Sequence, residues 1–493
     1  MPIDFQNIPV TIRVPGVYVE IDPRLAFGGL FRLRERLIVI GQKLSTGTAP
    51  VDAPARVLTA DDAAELFGRG SMLHEMFVAL KAANRFTETW ALPVADDLAA
   101  VAAAGSVTIG GAATAAGVIN LYIAGQRVRL RVAVNEANSV TASNLVAAIN
   151  AAVDLPVTAA VDGVVNTQVN LTARNGGEAG NDIDVRLNYF AGEELPNGLT
   201  VTISAMTGGA ANPDITAALA ALGDEKYEHI VMPYTDAANL NTLETLLDER
   251  WGPLKMIEAF AYSAIAGTLS ELSTFGNTRN SQLVSVIGAQ NSPAPPYVWA
   301  AVYGATIAFH GNQDPARPFQ TLELVGVLAS NDPADLFTLE ERDILLNDGI
   351  ATFTVDDGNG AVRIERAITT YQTNQQGIPD PSFLDVNTVL TLSFVRRDLR
   401  FFIFRTFDRF KLADDGTPVA PGQAIATPGI IRDHIIGRFL QWQDAGLAEN
   451  VEQFKQDLVV ERNADDPNRV DVLVPVNIIN QLRIVAVLQE FRL

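Results

Sequence analysis

The pair that first suggests chemistry is His74-Glu75, which opens a helical zinc-protease pattern. That pattern needs a second histidine one turn later, so that two imidazoles face one metal. Val78 stands in that place, and no metal site can form locally. Gly68-Arg69-Gly70 runs into Ser71, Met72 and Leu73 and does not complete a dinucleotide fingerprint. No Gly-Lys dipeptide and no Gly-x-Ser-x-Gly occurs, so neither the usual phosphate loop nor a nucleophile elbow is encoded. The four histidines, at 74, 229, 310 and 434, are far apart. A triad needs only one of them. His310-Gly311 closes an apolar helical stretch, where a histidine also interacts favourably with the helix dipole. Asp356, Asp357 and Asn359 resemble the start of a calcium loop but lack its later acidic ligand, so a plain turn is expected. The expectation is therefore no catalytic residue, no metal and no cofactor.

One basic cluster stands out. Phe394 to Phe410 reads FVRRDLRFFIFRTFDRF and holds 6 of the 23 phenylalanines and 5 arginines. On a helix these phenylalanines point almost all round, the pattern of a helix buried between layers. Its arginines then either snorkel or pair with acids in the core, or face an acidic partner.

Around these residues the chain alternates between strand and helix patterns. Leu37–Ile40 ending at Gly41 reads as a buried strand, and Thr59 with Asp61 and Asp62 as a helix start. From 227 the reading is strand 227–233, helix 237–251, strand 255–262, helix 269–277, strand 283–288 and helix 298–309. This rhythm argues for a largely parallel sheet under helices. A hairpin follows, 350–355 with 362–367. Asn387 to Phe410 and Pro428 to Gln443 read as helices. Strands 453–461 and 469–474 flank the turn Asp465-Asp466-Pro467-Asn468.

Residues 97–207 differ in composition. They are rich in Ala, Val, Thr, Asn and Gly, with one helix at 143–152. This is the pattern of an inserted, mostly-β domain with a thin core. Leu98 to Gln126 lacks charge, but its Ala, Gly, Ser and Thr would insert poorly into a bilayer, and glycine-linked strands fit better. The opening MPIDFQNIPVTIRVPGVYVE has no basic segment followed by an apolar run, so it does not read as a secretory leader.

With 493 residues, roughly three domains are expected. Hydrophobic residues make up 48% and charged ones 19%, which excludes a disordered chain. Cysteine is absent, which excludes disulfides and thiolate chemistry. The net charge of −21 disfavours non-specific binding to nucleic acid or anionic lipid. The two ends run against it: residues 1–45 carry +2 and residues 468–493 carry +1.

Both ends also read as strands without partners. Ile12, Val14, Val17 and Val19 lie around Pro15-Gly16, and the chain closes on 476–491 with Ile478, Leu482, Ile484, Val485, Val487 and Leu488. Long apolar edges are usually avoided because they pair with other chains. Two alternatives follow: the ends pair between subunits by β-augmentation, or each docks in its own sheet.

Several stretches resemble the tail sheath proteins of contractile bacteriophages, most closely the Mu-like group. They are Val14–Glu20 (VPGVYVE), Leu37–Pro50 (LIVIGQKLSTGTAP), Phe67–Met76 (FGRGSMLHEM), Tyr227–Pro253, Gln313–Val325 (QDPARPFQTLELV), Phe337–Thr352 (FTLEERDILLNDGIAT) and Arg366–Tyr371 (RAITTY). They cover most of the chain in order.

The resemblance implies an α/β and α+β multidomain chain. It is expected to hold an N-terminal arm and first strand (1–45), a core segment (46–96), the inserted outer domain (97–207), a subtilisin-like α/β domain without protease motifs (208–378), and an α+β C-terminal domain ending in a strand arm (379–493). It implies a homo-oligomer of stacked hexameric rings around a tail tube protein, with baseplate and tail terminator proteins as partners. No nucleic acid and no membrane insertion is implied. The subunit would assemble in the host bacterial cytoplasm, reside in the virion tail, and contract without nucleotide hydrolysis to drive the tube through the host envelope. Gly28-Gly29 is a candidate hinge behind the first arm. Arg396, Arg400, Arg405 and Arg409 are candidate tube-facing residues. The alternatives are a sheath of another contractile injection device or a cryptic serine hydrolase.

Overall fold

The computed structural model describes residues 34–418 and 422–492, together with Val14 and Ala420. The arm candidates Ile12, Val17 and Val19 and the hinge Gly28-Gly29 lie outside the described residues. The chain divides into two compact units, one of residues 34–394 with 480–493 and one containing residues 395–479.

The first unit opens with β1 (Arg36–Gln42), β2 (Ala55–Val57), α1 (Ala60–Phe67), α2 (Met72–Ala83) and β3 (Glu88–Val94). An insertion follows, containing β4 (Ala104–Gly111), β5 (Gly117–Ile123), β6 (Gln126–Val132), α3 (Asn138–Ala151), β7 (Val157–Val161), β8 (Gln168–Ala173), β9 (Val185–Leu187) and β10 (Leu199–Thr207). The chain then resumes with α4 (Thr216–Ala220), β11 (His229–Val231), α5 (Ala237–Trp251), β12 (Phe260–Ile265), α6 (Leu269–Gly276), β13 (Val284–Gly288) and α7 (Pro296–Gln313). It ends with α8 (Leu339–Asn347) and the hairpin β14 (Thr352–Val355) with β15 (Val362–Arg366).

The main sheet has the order β13-β12-β11-β1-β3-β2, parallel except at the β2 edge. Leu37 to Ile40 are fully buried, as a strand covered on both faces must be. Helix starts are marked by their caps. Thr59–Asp62, Thr268–Glu271 and Thr338–Glu341 each form reciprocal capping boxes.

The insertion builds its own core from Ile119, Leu121, Leu145, Ile149, Val169 and Leu171. It holds a four-stranded sheet, β10-β4-β8-β7, and a three-stranded one, β6-β5-β9. Its ends meet, since Val101 and Ala210 exchange backbone hydrogen bonds of 3.0 and 3.2 Å. The uncharged stretch after Leu98 is strand, and no helix among the described residues is long and apolar enough to cross a membrane.

The second unit holds most of α9 (Val386–Phe407), the short pair β16 (Lys411–Leu412) and β17 (Ile425–Ala426), α10 (Pro428–Asp444), α11 (Val451–Asp457), and the hairpin β18 (Val459–Arg462) with β19 (Val470–Leu473).

Four expectations need correction. α3 starts five residues early, because Ala137 caps it without a side-chain hydrogen bond and leaves no signal in the sequence. The strand expected at 255–262 runs Phe260–Ile265, because a turn through Pro253 to Met256 (φ +50°) follows α5. Residues 453–457 are helix, because Phe454 is buried and stacks on Phe439 at 4.0 Å between centroids. Finally, α9 is not apolar-buried all round. Val395, Arg397 and Asp398 are buried, but Phe404 is 69% exposed and Arg405, Arg409 and Phe410 face solvent. The helix stops at Phe407, and Arg409 turns left-handed (φ +63°).

Candidate inter-subunit surfaces

The residues that first suggest chemistry serve the fold. His74 is buried, its Nδ1 accepts the Gly70 N–H at 3.2 Å, and burial lowers its pKa. Glu75 is buried where α2, α7 and the insertion meet. It accepts from Gln126 Nε2 at 2.8 Å and from the Tyr297 hydroxyl. Burial pushes its pKa up to about 8 against the opposing effect of these hydrogen bonds. His229 lies between the Tyr262 hydroxyl and Glu35, each at 2.9 Å, and is 1% exposed. His310 occupies the last turn of α7. His434 donates from Nδ1 to the Ile430 carbonyl. Asp356 accepts from Gly358 N and pairs with Arg363 at 3.2 Å, the arrangement of a turn. No group of three or more metal-capable side chains occurs among the described residues.

The arginine-rich helix carries a buried acid. Asp398 accepts from Arg438 Nε at 2.7 Å, from its Nη2, and from Trp442 Nε1 at 2.7 Å. This buried pair brings Arg438 of α10 to the aspartate that α9 itself carries. Arg396 and Arg400 are half-buried, while Arg405 and Arg409 are exposed. The Arg405 guanidinium lies 5.9 Å from the Phe401 ring centre.

The C-terminal stretch is extended without a ladder. Ile478 makes a single bridge to Ala448, and Ile479 N donates to the Leu447 carbonyl at 3.1 Å. Beyond it, Leu482, Ile484, Val485, Val487, Leu488 and Phe491 are 71–88% exposed. Arg483, within this run, is held. Its Nη2 reaches Asp385 at 3.0 Å and the Asn387 side-chain oxygen at 3.2 Å. Val14, the described N-terminal candidate, is 67% exposed. In the C-terminal unit, β18 and β19 form a two-stranded sheet with no third strand among the described residues. Val459, Val472 and Leu473 on it are exposed. Such a hairpin is marginal alone and gains stability from added strands.

Unpaired apolar strand, open hairpin edges and the buried His74 and His229, tied into the core, are the features of a structural subunit. Residues 208–370 match the phage tail sheath protein central domain, and residues 379–492 match the phage tail sheath C-terminal domain. The chain belongs to the phage tail sheath protein family. It is 43% identical over 486 residues, 99% of each chain, to the Mu-like prophage FluMu tail sheath protein of Haemophilus influenzae. Among solved structures it is similar to sheath tail proteins from Listeria innocua (14% identity, 90% of this chain and 92% of that one, TM-score 0.48) and Desulfitobacterium hafniense (14%, 94% and 100%, 0.47). It is also similar to the contracted helical sheath of the anti-feeding prophage (12%, 98% and 99%, 0.47). The chain is a contractile tail sheath subunit, a structural protein and not an enzyme.

Proposed function

We propose that this subunit polymerises as stacked hexameric rings around a tail tube in the virion tail, linked by terminal segments that add strands to neighbouring subunits. Contraction of this sheath then drives the tube through the host envelope. The exposed apolar run from Leu482 to Phe491 carries the reading, because its backbone has no sheet and its side chains have no core. The open β18–β19 hairpin is the acceptor, and backbone hydrogen bonds across it keep the lattice connected while the compact units shift. Ile12, Val14, Val17, Val19 and Ile478 belong to the same linking segments. Arg396, Arg400, Arg405 and Arg409 lie toward the tube, with baseplate and terminator proteins at the sheath ends. The parallel main sheet represents the subtilisin-like architecture, and the insertion forms the outer face. Contraction needs no nucleotide when the extended lattice is a kinetically trapped, higher-energy packing.

Deleting residues 484–493 tests this. The truncated chain is expected to keep its circular dichroism spectrum and to sediment as a monomer. Negative-stain microscopy should show no tubes with the cognate tube present. Long tubes from the truncated chain would overturn strand addition as the linkage.

A further inference from the structure

From Leu482 to Arg492 every residue is exposed except Arg483. Arg483 sits in the apolar run Leu482–Leu488, yet its side chain is only 13% exposed while Leu482 and Ile484 on either side are 77% and 82% exposed. Its guanidinium bridges two prearranged acceptors. Asp385 also accepts from Arg366 at 3.1 and 3.2 Å, which fixes the carboxylate. Asn387 is fully buried, and its amide nitrogen donates to the carbonyls of Pro315 and Arg317 at 2.9 and 2.7 Å. Those two bonds orient the amide so that its oxygen faces Arg483. Both contacts come from the one terminal nitrogen Nη2, which also reaches the Gln481 side-chain oxygen at 3.0 Å, and a lysine ammonium, on a shorter side chain, falls short of that position. The whole arrangement lies within the α/β unit and its C-terminal segment.

We propose that Arg483 is the positioning residue of the C-terminal arm. By clamping onto Asp385 and Asn387 it sets where the arm leaves its own subunit, so that only residues 484–493 pass to a neighbour. This rests on the strand-addition reading above. Ten extended residues reach about 33 Å, which bounds the distance between the clamp and the receiving sheet. Holding the root also removes freedom that the free arm would otherwise lose on pairing, so exchange is favoured. Within the linking segment, Ile478 and Leu482 then form the root that stays on its own subunit, and Ile484, Val485, Val487 and Leu488 the part that is exchanged.

Trypsin reads the clamp directly, because it cuts after arginine and lysine. In the unpolymerised full-length chain, mass spectrometry should show cleavage after the exposed Arg492 well before cleavage after Arg483. Asp385→Asn should abolish that difference. Arg483→Lys, which keeps a trypsin site on a side chain too short to place its ammonium where Nη2 lies, should reduce it without disturbing Asp385. In assembly, Arg483→Ala should raise the critical concentration for tube formation roughly tenfold, with Arg483→Lys in between. Equal cleavage after Arg483 and Arg492 in the unaltered chain would overturn the clamp. So would unchanged cleavage in both variants. Failure of the arm reading is distinguishable: it shows as tubes formed by the chain lacking 484–493, whatever trypsin reports.

Discussion

Glu75 shows what a residue's chemistry becomes once its neighbours are known. As sequence, it sits beside His74 as half of a metal pattern. In the structure it is a buried carboxyl held by Tyr297 and Gln126, tying the insertion to α2 and α7. Its folded pKa, about 8, lies above the ordinary carboxylate value. The folded state therefore keeps a proton that the unfolded chain releases. Stability from this group is complete below about pH 4.5 and falls as pH rises through about 8, by at most about 5 kcal/mol. Glu75→Gln keeps two hydrogen-bonding ends without the titration. Its melting temperature should vary less between pH 5 and pH 8 than that of the unaltered chain and should exceed it at pH 8. Parallel pH curves would show that Glu75 is not protonated in the fold. Sequence carried the absence of a second histidine, but not the burial, because burial comes from Tyr297 and Gln126, more than 50 residues away. Asp398 teaches the same: its partners Arg438 and Trp442 are one turn apart on another helix, a spacing that had no visible meaning until α9 and α10 met.

At the scale of elements, local chemistry was legible wherever it was self-contained. Thr59, Thr268 and Thr338 mark helix starts because their cap partners are three residues on. α5 follows its expected bounds from Ala237 to Trp251. Elements decided by distant packing were misread: 453–457 became helix because Phe454 stacks on Phe439. Close approach of elements also gives a prediction. α6 ends on Gly276, where an added Cβ would overlap the carbonyl oxygen of Asp348 at the end of α8. That backbone is itself held by Gln372, whose amide donates to the carbonyls of Gly276 and Asp348 at 2.9 and 3.3 Å. Gly276→Ala should thus destabilise the α/β unit by ~2 kcal/mol, read as a lower urea midpoint of tryptophan fluorescence. An unchanged midpoint would mean that the two elements separate freely.

At the scale of the whole molecule, charge and unpaired strand govern behaviour. The chain carries −21 overall, yet Arg405 in the last turn of α9 and Arg409 just beyond it are exposed. If these face the tube, reversing both to glutamate should weaken co-sedimentation with the tube protein at low salt and less so at high salt, while sheath-only assembly is retained. Equal co-sedimentation would remove these arginines from the tube surface. The sequence by itself determined the family, the absence of an enzyme signature, the parallel α/β rhythm and the apolar terminal run. Each is written in residue type and local spacing, through alternation, caps, turns and motifs. Tertiary structure alone decided that Glu75 is a buried joint, that Asp398 anchors α10, that the last turn of α9 exposes Phe404 and Arg405, and that Arg483 is held by Asp385 and Asn387. Burial and pairing depend on side chains that are distant along the chain, and only folding brings those together.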